Sequence, residues 1–261
     1  MKKTLIFSDV HLKVTDGARP HREEFIRFLR SIDPGEYNRV ICLGDLFDFW
    51  FEYRHVIFSG YFDVLRAFAE LRDAGVELHL ICGNHDFWAG RFLHEELDFH
   101  IHPTSVTLPF GPLRAHFIHG DGINPTDWRY RLYKRIARNA FVVWAFRQLH
   151  PDWAMALAQG VSHGSRTFLA TPDPFIGPEA TSLRAYARGV LERGEADAVF
   201  CGHAHAPVHE EYPTPAGAGT YINTGDWLQH RSHVVWDGVS FHLEVANAAD
   251  SVPRATSVST H

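Results

Sequence analysis

Five short segments of this chain end in side chains suited to gripping metal ions. Asp9 and His11 form a D-x-H pair in SDVH, and residues two apart at the end of a strand project to the same side and can share one ion. Asp45 follows Gly44 in GDLFD and offers two carboxylate oxygens able to bridge two cations, with Asp48 close enough to act on them from further out. Gly83, Asn84, His85 and Asp86 make the third segment, and His119 precedes Gly120 and Asp121 in the fourth. The fifth, GHAH, supplies His203 and His205. Together these are two ligand sets of carboxylate, amide oxygen and imidazole, which suit Mn, Zn or Fe rather than a thiolate site.

Singly, each segment has a bland reading. Gly-Asp and Gly-Asn after a strand are ordinary turn chemistry, and both Asp121 and Asp226 read equally well as turn or cap residues. Cys42, Cys82 and Cys201 stand beside the same glycines but read as small buried residues, since oxygen and nitrogen donors already complete both sites. Of the 19 histidines, His55, His79, His94, His100, His102, His150, His163, His230, His233 and His242 have no ligand partner in sequence and read as structural or surface residues.

The elements that must position these residues follow one grammar: a short apolar run, a Gly-bearing turn, then ligands. TLIFSDVH (4–11), RVICLGDLFD (39–48), ELHLICGNHD (77–86), RAHFIHGD (114–121), AVFCGHAH (198–205) and TYINTGDW (220–227) follow it, the first with Ser8 in place of the glycine. Continuous apolar runs suit strands buried on both faces, hence a layered α/β fold whose site lies at the carboxyl ends of the strands. Helices are expected over 21–32, 61–75 with Gly75 closing the end, and 178–194 between Pro178 and Gly194. A chain of 261 residues, 45% apolar, is ample for one domain over 1–245, with 246–261 reading as a disordered tail.

The net charge of -6 speaks against a nucleic-acid partner, and nothing in the sequence implies an obligate protein partner. MKKTLIFSDV is too short for a signal peptide, and no run approaches the ~20 apolar residues of a membrane span. Three widely spaced cysteines point away from a disulfide framework, so a reducing compartment, the cytoplasm, is expected.

Between the fourth and fifth motifs lies a long insertion, about 124–175. Residues 124–170 carry seven basic and two acidic side chains. Arg131, Lys134, Arg135 and Arg138 recur at helical spacing opposite a stripe of Leu132, Tyr133, Ile136, Ala140 and Phe141. This predicts a basic amphipathic helix continuing into FVVWAF, with a second helical segment after Pro151. Such a pair would cap the metal site, offering cations to phosphate or an anionic membrane surface and apolar groups to lipid chains. An ordinary helical hairpin with a solvated charged face is the alternative.

In this order, D-x-H, G-D-x-x-D, G-N-H-D, H-G-D and G-H-x-H resemble the full signature of the calcineurin-like metallophosphoesterases, over residues 9 to 227. The resemblance implies a four-layer αββα sandwich. It also implies one ion on Asp9, His11, Asp45 and His205, a second on Asp45, Asn84, His119 and His203, and Asp45 as the bridge. Two such cations, about 3.5–4 Å apart, would activate a water to attack phosphorus in line with the leaving group. By the same logic His85 reaches the substrate, stabilising the transition state or protonating the leaving oxygen, while Asp48 and Asp86 orient ligand or catalytic groups.

Within that superfamily, a helical insertion after H-G-D, an Asp and a Tyr spaced as Asp127 and Tyr130, and a G-D-W segment near the end resemble the UDP-2,3-diacylglucosamine hydrolases of lipid A synthesis. Those enzymes cleave a pyrophosphate to UMP and an acylated sugar phosphate, use manganese, and work peripherally at the cytoplasmic face of the inner membrane. The likeness implies head-group contacts from Asn84, His85, Asp127, Tyr130 and Arg166. One position departs, because many of these hydrolases carry Arg where this chain has His85. A soluble phosphodiesterase or nucleotidase of the same superfamily is the alternative that His85 permits.

Overall fold

The computed structural model describes residues 2–157 and 175–246. β1 (Lys3–Phe7), β2 (Tyr37–Cys42) and β3 (Glu77–Ile81) lie side by side and parallel, and β4 (Phe99–His102) extends them at one edge. The connections are crossovers through α1 (Arg19–Ser31), α2 (Phe62–Asp73) and the short α3 (Arg91–Glu95), as parallel neighbours require. β5 (Ser105–Phe110) and β6 (Leu113–Ile118) then open a second sheet as a hairpin. A long crossover carries α4 (Trp128–Ala137), α5 (Ala140–Phe146) and α6 (Pro178–Glu192) before β7 (Ala198–Cys201). β8 (Val208–Thr214) and β9 (Gly217–Asn223) complete this sheet in the order β5-β6-β7-β9-β8. The hairpin of β10 (Ser232–Trp236) and β11 (Phe241–Val245) returns to the first sheet, giving β11-β10-β1-β2-β3-β4.

Two-sided burial explains the continuous apolar runs. Ile6, Ile41 and Ile81 face the second sheet and meet Phe117, Phe200 and Ile222. Their neighbours Leu5, Phe7, Val40, Leu78 and Leu80 face the other way, under Phe25, Leu29, Val64 and Phe68 of α1 and α2. On the far side of the second sheet, Val199, Cys201 and Tyr221 lie under Leu183, Ala187 and Val190 of α6. The layers are therefore helix, sheet, sheet, helix, as expected. A buried side chain such as Phe25, set between Phe7 and Trp227 with ring centroids at 5.4 and 5.1 Å, contributes about 1.5–3 kcal/mol. Gly75 and Gly194 follow their helices at φ 83° and 64°, the left-handed turn that ends a helix at low cost.

The six segments with ligands occupy β1, β2 and β3 of one sheet and β6, β7 and β9 of the other, each set parallel and adjacent. All six loops thus emerge from carboxyl ends, and the two sets converge.

The insertion differs from the expected continuous helix. It breaks after α4, where the Asn139 side chain accepts from Phe141 and Val142 N–H groups and starts α5. Its orientation is also specific. Lys134, Ala137 and Arg138 turn inward, whereas Leu132, Tyr133, Ile136 and Phe141 are exposed, Phe141 at 71%. The break lets α5 dock: Phe146 stacks on Trp88 at 5.6 Å and meets Phe51 at 4.8 Å, and Trp88 Nε1 donates to the Ala137 carbonyl. Residues 151–157 are helical, but most of the second segment expected after Pro151 lies outside the described residues, as do Arg166 and the tail from 247. Among the described residues no helix is long and apolar enough to cross a membrane.

Candidate metal centre

Seven non-glycine residues among those described have positive φ, and five are predicted ligands: Asp9 (52°), His11 (49°), Asp45 (52°), His203 (65°) and His205 (54°). Each such residue costs about 1–2 kcal/mol relative to ordinary backbone, so the cluster marks loops held in place by their neighbours. The restraints are visible: Asp9 N–H donates to Gly44 O, His11 N–H to Asp45 O, and Gly202 N–H to His119 O. The glycines are required for closeness. A Cβ on Gly83 would lie 2.2 Å from Asp45 Oδ1, and one on Gly202 would lie 2.6 Å from Asp9 Oδ2.

The predicted ligands meet. Asp45 Oδ2 lies 3.5 Å from His119 Nε2, 3.7 Å from His11 Nε2 and 3.8 Å from His85 Nε2. Asp9 Oδ1 faces His205 Nε2 at 3.2 Å and His11 Nε2 at 3.8 Å, and His11 and His205 approach to 3.3 Å. Asn84 Oδ1 is 3.2 Å from His119 Nε2. His203 sits against the same group, its ring 5.1 Å from that of His119. Two triads, Asp9 with His11 and His205, and Asp9 with Asp45 and His119, bring their donor atoms within 4.8 Å of one another.

The donor set fits divalent ions. Asp9, His11, Asp45 and His119 are all at most 3% exposed, and Asp9 Oδ1 is buried without a hydrogen bond. Buried carboxylates at this density need cationic partners. Without an ion that demand falls on the imidazoles: against the opposing effect of burial, Asp45, Asp9 and Asp121 push His119 up to about 9. Asp9 is held well below the usual carboxylate range despite its burial, by His205, His119 and His11. His119 Nδ1–H donates to the Leu43 carbonyl at 2.6 Å, which fixes its tautomer and leaves Nε2 to the centre.

The other predicted residues take distinct places. His85 Nδ1–H donates to the Asp48 carbonyl at 2.7 Å, so Nε2 looks into the site with the side chain 17% exposed. Asp48 Oδ1 is 3.9 Å from His11 Nδ1. Asp86 accepts from Gly83 and Leu46 N–H groups and ties two ligand loops together, and burial beside Asp45 raises it to about 6. Asp121 accepts from Tyr130 Oη at 2.6 Å and pairs with Lys134. Although burial opposes it, His119 and Lys134 hold Asp121 down at about 2. Asp127 caps α4 by accepting from Tyr130 N–H. Asp226 is a turn cap, accepting from Leu228 and Gln229 N–H groups and pairing with His230. The three cysteines are buried thiols, each pushed up by burial.

Some participants were not read from the sequence. Glu179, in the first turn of α6, reaches to 3.8 Å from His203 Nε2 and accepts from Asn124 Nδ2. A Glu beside Pro at a helix start reads as a dipole partner, which hid it. Ser8 Oγ donates to Asp9 Oδ2 and also contacts Thr224 Oγ1, joining the first and last of the six loops.

The description of the calcineurin-like phosphoesterase family matches residues 2–207. The chain belongs to that family. As a phosphoesterase of this family it is a metal-dependent hydrolase, and its divalent ions have the clustered Asp and His donors above to bind. The phosphoesterase is 31% identical over 260 residues to a UDP-2,3-diacylglucosamine hydrolase of Porphyromonas gingivalis, covering 94% of this chain and 98% of that protein. Enzymes of the same name from Azotobacter vinelandii (28%, covering 92% of this chain and 97% of that one) and Edwardsiella ictaluri (27%, 92% and 90%) are similar along nearly their whole length.

Proposed function

We propose that this phosphoesterase cleaves the pyrophosphate of UDP-2,3-diacylglucosamine, releasing UMP and 2,3-diacylglucosamine 1-phosphate. The observation that carries this reading is the union of a candidate metal centre with an outward apolar surface on the insertion that follows His119. Trp128, Leu132, Ile136, Phe141, Trp144 and Trp153 are all at least half exposed. Large apolar groups in such number suit acyl chains or a membrane surface better than solvent. Likeness to three hydrolases of that name over most of each chain supports the same substrate.

Asp9, His11, Asp45 and His205 would hold one divalent ion and Asp45, Asn84, His119 and His203 the other, with Mn the expected metal and Zn or Fe as competitors. When bound, these ions supply Lewis acidity and lower the pKa of water toward neutrality. His85, whose Nδ1 is held on the Asp48 carbonyl, would give a proton from Nε2 to the leaving phosphate oxygen. Asp86 keeps the Asp45 and Asn84 loops in register. Tyr130 and Lys134, gathered on Asp121, and Asp127 at the start of α4 would border the head group, together with Arg166. The enzyme would work in the cytoplasm, peripherally at the inner membrane.

UMP release from UDP-2,3-diacylglucosamine in detergent with added Mn²⁺, run beside bis-p-nitrophenyl phosphate, tests the reading. Release far faster than hydrolysis of the generic diester is expected. Generic hydrolysis alone would instead leave a soluble phosphodiesterase.

A further inference from the structure

At the opposite end of β3 from Asn84, a second group of metal-type donors converges. Strand alternation puts Glu77 and His79 on the face shared with Ile81, which belongs to the inter-sheet core. The register sets His100 of edge strand β4 beside His79, and His102 beside Ile81. Asn84 lies five residues beyond His79, past the end of β3, and the group shares no residue with the catalytic centre.

We propose that Glu77, His79 and His100 form a separate binding site for a borderline divalent ion of the Zn²⁺ class, with His102 and Arg39 orienting two of the ligands. Arg39 Nε holds Glu77 Oε2 at 2.8 Å, which turns Oε1 toward His79 Nε2 at 3.0 Å and His100 Nε2 at 3.8 Å. His79 Nδ1 and His102 Nε2 share a 3.0 Å hydrogen bond. When Nδ1 is the donor, the His79 lone pair lies on Nε2, which is 3.0 Å from Glu77 Oε1 but aimed to one side of it. Metal-bound imidazoles are held in this way by a partner on the other ring nitrogen.

The orphaned atom is the second, independent observation. His79 is 3% exposed, and its Nε2 is buried with no hydrogen-bond partner although Glu77 Oε1 is near, because the two do not meet in hydrogen-bond geometry. An ion between them would satisfy both. All three donor atoms lie within 4.8 Å of one another, and zinc takes imidazole and carboxylate at about 2.0–2.2 Å, so a small movement of His100 completes the set. His100 can make that movement, its side chain being 51% exposed, and water would fill the remaining position. Burial keeps His79 down at about 4, so its nitrogen is available at neutral pH.

Zn²⁺ titration of the full-length protein, read as bound equivalents by elemental analysis and as imidazole ¹⁵N shifts, tests the site. Wild type should bind one equivalent more than His100→Ala or Glu77→Gln, and the resonances of His79 and His100 should move with that equivalent. The His100→Ala variant alters an exposed side chain and should hydrolyse phosphodiesters at the wild-type rate. His102→Gln, which removes only an orienting bond, should weaken the extra equivalent by about 10- to 100-fold. Equal equivalents in wild type and both ligand variants, or unmoved His79 and His100 resonances at saturation, would overturn the site.

Discussion

Asn84 and His85 are neighbours in sequence for which we propose opposite tasks, and the difference can be measured. Asn84 Oδ1 points at His119 among the donors, whereas His85 is anchored through Nδ1 and leaves Nε2 facing Asp45 at 3.8 Å. His85→Ala should therefore lower kcat by about 10²- to 10⁴-fold, the usual worth of a positioned acid or base, while elemental analysis finds the metal content of wild type. Loss of metal in that variant would make His85 a ligand instead. Glycines separate the same way. Gly83→Ala forces a methyl to within 2.2 Å of Asp45 Oδ1, so metal content and activity should fall together. Gly75→Ala strains a turn at φ 83° with nothing within 4 Å of the new methyl. It should cost about 1–2 kcal/mol in urea denaturation and leave turnover intact. If both glycine variants behaved alike, close approach would not be what the Gly83 position requires.

The elements around the site answer to pH through groups set apart from it. His116 on β6 lies between Thr107 Oγ1 and the Tyr186 hydroxyl of α6, and burial lowers its pKa below the ordinary value despite nearby Glu195. A histidine held neutral in the fold binds fewer protons than the unfolded chain between its lowered pKa and about 6.5. Its contribution is thus complete above pH 6.5 and is lost as pH falls through that window, at no more than about 1.4 kcal/mol per pH unit. His116→Gln should flatten this acid limb in urea midpoints measured from pH 7 to 5, and an unchanged slope would remove His116 as its source. The same element scale shows what could be read in advance. β1, β2, β3 and β7 were legible because burial on both faces makes their runs nearly continuous, and β6 and β9 because a glycine turn with polar residues follows each. β8 was not, since VHEEYPT alternates half-buried and exposed positions at a sheet edge and includes Pro213, which reads as a strand breaker. β4, only FHIH, looked like scattered histidines until its pairing with β3 gathered them. The insertion gave its two faces but not which one turns inward. Periodicity separates faces, whereas the choice depends on Asp121, which draws Tyr130 and Lys134 to the site and leaves the apolar stripe outside.

For the whole molecule, the centre is a seam between two sheets. Asp9, His11, Asp45 and Asn84 follow strands of the first sheet, and His119, His203 and His205 follow strands of the second. Below the seam the sheets are joined by apolar packing such as Ile6, Ile41, Phe117 and Phe200. At the seam they share buried carboxylates and imidazoles, so ions bound there would cross-link the layers. An ion that binds only the folded state stabilises it by about 2.7 kcal/mol at a free concentration one hundred times its Kd. Two such ions would contribute about 5 kcal/mol, or roughly 10–20 °C in Tm for a chain of this size. Chelation should therefore lower Tm by that order, and hydrogen exchange should rise together in the loops around 8–12 and 43–48 of one sheet and 119–122 and 202–206 of the other. The α1 and α2 layer, packed beneath the far face, should keep its protection. Exchange rising in one sheet's loops alone would mean that the ions are held within a single sheet, and the shared role of Asp45 would have to be abandoned.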